Sequence, residues 1–341
     1  MPTKTIFYVN SNIVEKVCKS IIEEEGMEDY KVIKEGRYSK EKEKCKTAEE
    51  IYRLRRGKKR EVLRNWSRIK SGDRIVSEIA GGEFHLYAPY THFEEVRMLL
   101  SHRLCSGFSI VEEGLMSYLT PDQMEKMVPP TTPSLGQKIK CLGRLGTYSF
   151  YREGYETLYA TNAQAFPGRQ NKKVLDVQFG EGKGRAEIGK DECILVLDSL
   201  THYEKEKACT YVLSLSAALD VLEERYEKIH YKLHPDSYGT WQADAMEAAL
   251  GRLECPVREI DRSASIEDVA IASPADVVVD LSSVGLYCGM FSDGTVYSFH
   301  DILSTADGTD CDQKPASAVS NIADCVPDVF WEHVEPLRQV A

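Results

Sequence analysis

The sequence predicts an α/β protein of two Rossmann-like domains facing each other, on three observations. At 341 residues the chain is longer than a single hydrophobic core usually grows. Strand-like apolar runs alternate with helix-period segments in both halves, the pattern of parallel sheets covered on both faces. A glycine-dense, charged stretch, "FGEGKGRAEIGKDE", separates the two series, so residues 1–188 and 189–341 read as separate domains.

The first half opens with the buried strand "TIFYVN", after which Ser11 or Asn12 can cap the helix "IVEKVCKSIIEEEGM", which stops at Gly26. Residues 28 to 72 are charged and read as helix plus loop. "RIVSEIAG" and "EFHLYAPY" are expected as strands, and "HFEEVRMLLSHRL" has helical spacing. "GFSIVEEG" is a short apolar run that delivers Glu112 and Glu113 to a turn at Gly114. The Pro-rich "VPPTTPSLGQ" follows. The second half restarts with the strand "CILVLDSL", the long helix "ACTYVLSLSAALDVLEERYEKI" and the strand "HYKLHP". A helix over "TWQADAMEAALGRL", the strand "VREID", the helix "SIEDVAIA", the strand "DVVVDLSS", the helix start "VGLYCGMFS" and the strand "TVYSF" complete it.

Hydrophobic residues at 42% and charged ones at 28% suit a globular chain and exclude general disorder. The ten cysteines contain no C-x-x-C pair and read as reduced core residues of a cytoplasmic protein. No apolar signal-peptide run and no stretch of ~20 apolar residues is present, so secretion and membrane spanning are not expected. A net charge of -11 argues against nucleic-acid binding. Residues 53–70, "RLRRGKKREVLRNWSRIK", run against that balance. They read as a solvated helix with its apolar face on the core, or as a peripheral contact with an anionic membrane.

The glycines form neither G-x-G-x-x-G opening a helix nor a phosphate-binding G-x-x-x-x-G-K-[ST] loop, which removes the usual support for nicotinamide or ATP chemistry. Chemistry is expected instead at three strand ends, where open parallel sheets place ligands. Ser282 and Ser283 stand where a strand turns into a helix. They can cap that helix, or complete an anion cradle with its N–H groups. His234 ends its strand because Pro235 cannot extend the ladder. It is a turn histidine or, with an ordinary pKa near ~6.5, a donor to a leaving phosphate. Glu112 and Glu113 point to opposite faces if the strand persists, so only one is expected to meet a substrate, where it would suit a general base; the alternative is a pair of surface acids in a turn.

An acidic pair with glycine, then His-Pro, then Ser-Ser, in that order at strand ends, resembles the bacterial sialyltransferases of the lipooligosaccharide, polysialic-acid and marine multifunctional types. Their motifs (Asp/Glu)-(Asp/Glu)-Gly, His-Pro and Ser-(Ser/Thr) read here "VEEGLMSYL", "YKLHPDS" and "DLSSVGLY". "SIEDVAI" is similar to the segment whose glutamate holds the donor nucleotide, which would make Glu267 that contact. The resemblance implies the GT-B fold, an acceptor-binding first domain and a nucleotide-sugar-binding second domain. It implies inverting transfer from CMP-sialic acid to a hydroxyl of a surface glycolipid or polysaccharide, as in lipooligosaccharide or capsule biosynthesis. Glu112 is favoured as base, with Glu113 as the alternative. His234, Pro235, Glu267, Ser282 and Ser283 are expected at the donor, with no cofactor and no metal. The competing expectations are a GT-B transferase using another sugar nucleotide, and a catalytically silent glycan-binding protein.

Overall fold

A computed structural model describes residues 4–35, 51–52, 61–146, 149–179, 188–199, 205–305 and 326–337. The chain divides into two compact units, Met1–Val177 and Gln178–Ala341.

The first unit runs β1 (Lys4–Val9), α1 (Asn12–Glu24), β2 (Tyr30–Lys34), α2 (Glu61–Ala80), β3 (Phe84–Ala88), α3 (Glu94–Leu100), β4 (Cys105–Val111), α4 (Pro121–Met127), α5 (Leu135–Lys140), β5 (Leu158–Ala160) and β6 (Lys172–Val174). These strands form one sheet in the order β2-β1-β3-β4-β5-β6, parallel throughout. Burial on both faces explains why β1 and β4 end in four consecutive buried residues. Ser11 is the cap of α1, its Oγ accepting from the Val14 N–H at 3.2 Å. Ile13, Val14, Val17 and Ile21, all buried, give the helix its core face.

"RIVSEIAG", expected as a strand, is instead the last two turns of α2. Ile69, Val76 and Ala80 are fully buried at spacings of seven and four, the stripe of one helical face. Strand alternation would have carried Glu78 inward with Val76 and Ala80. The Pro-rich stretch also yields a helix, because Ser134 and Gln137 form a capping box that starts α5. Of the basic segment, residues 53–60 lie outside the described residues. The remainder is the start of α2, where Asn65 and Ile69 are fully buried and Trp66 Nε1 donates to the Ile139 carbonyl at 2.7 Å.

The second unit runs β7 (Glu192–Leu197), α6 (Lys205–Arg225), β8 (Lys228–Leu233), α7 (Trp241–Leu250), β9 (Val257–Glu259), α8 (Ile266–Ile271), β10 (Asp276–Val279), α9 (Ser283–Phe291), β11 (Val296–Ser298), α10 (His300–Thr305), α11 (Asp328–His333) and β12 (Glu335–Pro336). The sheet order is β12-β11-β10-β7-β8-β9, the arrangement of a dinucleotide-binding Rossmann sheet. Its core packs Leu215, Leu219 and Leu222 of α6 and Met246 of α7 with Leu195 and Leu197 of β7 and Ile229 and Leu233 of β8. Gly285 lets α9 lie close on β10, since a Cβ there would sit 2.7 Å from Val279 Cγ2.

Among the described cysteines, all are free thiols; Cys18, Cys141, Cys193 and Cys288 are buried and Cys209 is exposed. No helix among the described residues is long and apolar enough to cross a membrane.

Candidate functional site

In open parallel sheets ligands gather outside the carboxyl ends of the strands, where the strand order reverses. In the first unit that point lies between β1 and β3. Asn10 follows β1 directly, and its Nδ2 donates to the Tyr90 hydroxyl beyond β3 at 3.2 Å. The same amide hydrogen-bonds the Glu113 carboxyl at the end of β4, while Asn10 Oδ1 is buried without a partner among the described residues. Tyr90 belongs to an aromatic cluster with Phe93 and His92 at centroid distances of 4.6 and 4.9 Å, and His92 stacks on Phe150 at 4.6 Å. Burial, helped by the Arg97 charge, lowers His92 to about 4, so this ring is neutral at physiological pH. Phe93 is 43% exposed and leaves an aromatic ledge open to solvent.

The two glutamates have different surroundings. Glu112 is fully buried. Its Oε1 accepts from the Tyr118 hydroxyl at 2.6 Å and the Thr161 hydroxyl at 2.9 Å, and its Oε2 from the Thr161 N–H at 2.5 Å. These bonds tie the end of β4 to the end of β5 and to the short 3₁₀ turn Leu115–Tyr118. Glu113 is partly exposed. Burial pushes its carboxyl up to about 8; the Asn10 hydrogen bond opposes that shift and the Glu35 charge adds to it. Gly114 has φ 144° and ψ -152°, a region that only glycine enters freely. The third residue of the acidic motif therefore supplies the turn that presents Glu113.

In the second unit the strand order reverses between β7 and β10. His234 N donates to Leu197 O at 3.0 Å, and Pro235, lacking an N–H, ends the ladder by starting the 3₁₀ turn Pro235–Ser237. His234 Nδ1 accepts from the Asp236 N–H at 3.2 Å, so in the neutral ring the proton sits on Nε2. Its side chain is 39% exposed. Ser282 caps α9, its Oγ accepting from the Val284 N–H at 3.3 Å, and Ser283 opens the helix. Glu267, in the first turn of α8, is buried and accepts from Ser265 Oγ at 2.9 Å. Its charge helps burial raise the Cys288 thiol of α9, so Glu267 and the serine-capped helix are neighbours. His234 stands two strands from Ser282, with β7 between them, on the order of 10 Å. His230 lies elsewhere, its Nε2 2.8 Å from Glu192 Oε2 toward the opposite end of the sheet.

Three further residues on the carboxyl edge of this sheet were not singled out from the sequence. His300, just past β11, has its Nδ1 2.8 Å from Asp280 Oδ1, just past β10. Asp198 follows β7, one residue beyond the Leu197–Leu233 pair. Burial pushes its carboxyl well above the ordinary range, with the Asp280 charge adding to the shift. Asp198 and Asp280 each lie one residue beyond a strand rich in leucine or valine, a place visible in "LVLDS" and "VVVDLSS" once the strand ends are fixed, and His300 lies two residues beyond β11.

No protein-family model matches the chain, and no curated protein does. Solved structures do. The UDP-GlcNAc 2-epimerase of Methanocaldococcus jannaschii in complex with UDP-GlcNAc and UDP matches with a TM-score of 0.51 at 10% identity, over 88% of this chain and 84% of its own. The UDP-GlcNAc 2-epimerase of Neisseria meningitidis bound to UDP-GlcNAc matches with a TM-score of 0.49 at 10% identity, over 99% of this chain and 96% of its own. The trehalose 6-phosphate synthase of Burkholderia multivorans reaches 0.41 at 10% identity, over 98% and 92%. At such identity the likeness is one of fold, and the Methanocaldococcus jannaschii structure carries it. With the two parallel sheets, the fold class is α/β of GT-B type, with two Rossmann-like units.

Proposed function

We propose that the chain is a metal-independent glycosyltransferase that moves a sugar from a nucleotide donor to a hydroxyl acceptor, with Glu113 as the base. The observation that carries this reading is the partly exposed Glu113 carboxyl beside Asn10, at the switch point of the first sheet. A base near ~7–8 is matched to deprotonating a hydroxyl during attack at neutral pH. Glu112 has its oxygens engaged by three donors within the fold, which favours Glu113 for the role the resemblance offered first to Glu112. The orphaned Asn10 Oδ1 offers an acceptor for a second acceptor-sugar hydroxyl, and Phe93 a face for its ring.

The second unit would hold the donor. The acceptor oxygen bonds to the anomeric carbon with inversion as its proton passes to Glu113. The bond from that carbon to the phosphate oxygen breaks, and its electron pair leaves with the nucleotide. His234 Nε2–H, Ser282, Ser283 and the N-terminus of α9 would offset the charge developing on the phosphate. Glu267 would hold the nucleoside, and Pro235 fixes where His234 is presented.

Two donor classes follow from different observations. The motifs "VEEG", "LHP" and "LSS" favour CMP-sialic acid, with a glycolipid or polysaccharide acceptor. The fold shared with an enzyme solved with UDP-GlcNAc and UDP favours another sugar nucleotide, by analogy of fold alone. A panel of CMP-sialic acid, another CMP-activated keto-deoxy sugar, UDP-GlcNAc and a GDP-sugar, scored by release of free nucleotide, separates them. CMP release restricted to the sialic acid donor supports sialyl transfer, and UDP release supports the second class. No release with any donor supports a silent glycan-binding protein and overturns the enzyme reading.

A peripheral contact with anionic membrane through residues 53–70 belongs to the same proposal. Trp66 ties this helix to α5, where Leu135 is 74% and Ile139 48% exposed beside the cationic Lys138 and Lys140, a composition suited to a lipid headgroup surface.

A further inference from the structure

The carboxyl edge of the second sheet carries a histidine that the motifs do not mention. His300 is 9% exposed. Its Nδ1 is held 2.8 Å from Asp280 Oδ1, and its backbone N–H donates to Ser298 Oγ at 3.2 Å while that hydroxyl donates to Asp280 O at 2.7 Å. The ring is therefore fixed from both its side chain and its backbone. Its other nitrogen, Nε2, has no hydrogen-bond partner among the described residues. Asp280 lies two residues before Ser282, the cap of the nine-residue helix α9.

Burial works against the imidazolium, but the Asp280 hydrogen bond and charge, with the Asp301 charge, outweigh it and raise His300 above its ordinary value. The Asp198 pKa is raised too, by burial with the Asp280 charge adding to it, which favours its neutral acid. Both shifts lessen the negative charge that Asp198, Asp280 and His300 together present to an anion. The N-terminus of α9 supplies a positive dipole end at this edge, and one strand away stands the His300 ring, whose protonation Asp280 favours.

We propose that His300 is a phosphate contact of the nucleotide site, its Nε2–H donating to a monoester phosphate seated at the N-terminus of α9, and that Asp280 is its positioning residue. The assignment rests on the donor site proposed above. It names the recognised group as the phosphate rather than the base or sugar. His300 then stands on the β11 side of Ser282 and His234 on the β8 side, so the leaving phosphate would be met from two directions.

The test compares CMP with cytidine by calorimetry in wild type, His300→Asn and His300→Gln. His300→Asn keeps a donor for Asp280 and removes the Nε2 contact; it should weaken CMP about ten-fold or more and leave cytidine unchanged. His300→Gln returns a neutral donor near Nε2 and should recover part of the loss. Asp280→Asn should shift the pH at which CMP affinity falls to a lower value. The titratable groups around the ring are Asp198, Asp280 and Asp301; because Asp280 also acts on Asp198, the displacement is assigned to His300 by repeating it in His300→Gln, where it should vanish. If His300→Asn fails to fold, that shift decides alone. Wild-type CMP affinity in folded His300→Asn overturns the assignment and leaves the donor reading standing. A wild type that binds no nucleoside monophosphate overturns the donor reading. The anion site is then judged by titrating inorganic phosphate against the His300 ring signals in NMR, where the absence of a response overturns it too.

Discussion

Asn10 Nδ2 lies 3.2 Å from the Tyr90 hydroxyl, and the same amide meets the Glu113 carboxyl, so one side chain links the ends of β1, β3 and β4. Burial raises Glu113, and the amide opposes that shift by favouring the ionised form, so Asn10 would lower the pH at which the proposed base works. The rate constant kcat/KM should rise with pH and level off above about 8, since Glu113 acts only once its proton is lost. Asn10→Ala should move this limb to higher pH and lower the rate at pH 7, read from full pH profiles with saturating donor.

Glu113→Gln should abolish transfer, with a loss on the order of 10³-fold or more, and should also stabilise the fold at high pH. The folded-state pKa of about 8 lies above the ordinary 4.5. The native state therefore keeps a proton that the unfolded chain releases between those values, and stability falls as pH rises through that window. Urea unfolding at pH 8.5 should place the variant above wild type by on the order of 1–2 kcal/mol, with the gap closing toward pH 4. Equal stability at both pH values would show that Glu113 is not held protonated by the fold.

Glu112→Gln is expected to act on stability first. The variant turns one acceptor oxygen into an NH₂ facing donors from Tyr118 and Thr161, at about 1–3 kcal/mol for the buried groups left unpaired. A lowered urea midpoint together with an unchanged pH limb would separate this supporting role from catalysis.

Gly114→Ala places a Cβ where φ is 144° and ψ -152°, with strain of about 1–3 kcal/mol. The strain can be relieved by rotating the turn that carries Glu113. Thermal unfolding should therefore report a smaller loss than turnover does.

The legibility of this chain follows from what its residues do locally. β1, β4, β7 and β10 were readable because burial on both faces leaves apolar runs, and β8, KIHYKL, because Pro235 marks its end. β5 and β6 were not: they are short, no turn signal or neighbouring helix period frames them as it does β9 and β11, and "KKV" has no apolar pattern at all. α2 was misread where Ile75, Val76 and Ile79 mimic a strand, although the longer stripe through Ile69 gives a helix. The motif positions Glu113, His234, Ser282 and Ser283 do stand at carboxyl edges of the sheets. The difference in surroundings between Glu112 and Glu113 was hidden, since it depends on Thr161, Asn10 and Glu35, each far away in sequence. The Asp280–His300 pair was hidden for the same reason, as two strand ends must be in register before it exists.

Every strand pairing in both sheets is parallel, so none of them can form through a hairpin. Each must wait for a crossover segment to close, which makes such sheets slow to assemble. During that wait a half-built sheet exposes unpaired edges, and the lysines of β6 then act as a guard. Lys172 and Lys173 occupy the outermost strand, where charge discourages pairing with another chain. Only in the finished unit is Lys173 drawn to Glu25 at 2.6 Å and Glu24 at 3.1 Å. Yield on refolding should accordingly depend on how fast the chain closes on itself relative to encounter with its neighbours, and fall with protein concentration more steeply when both lysines are neutralised.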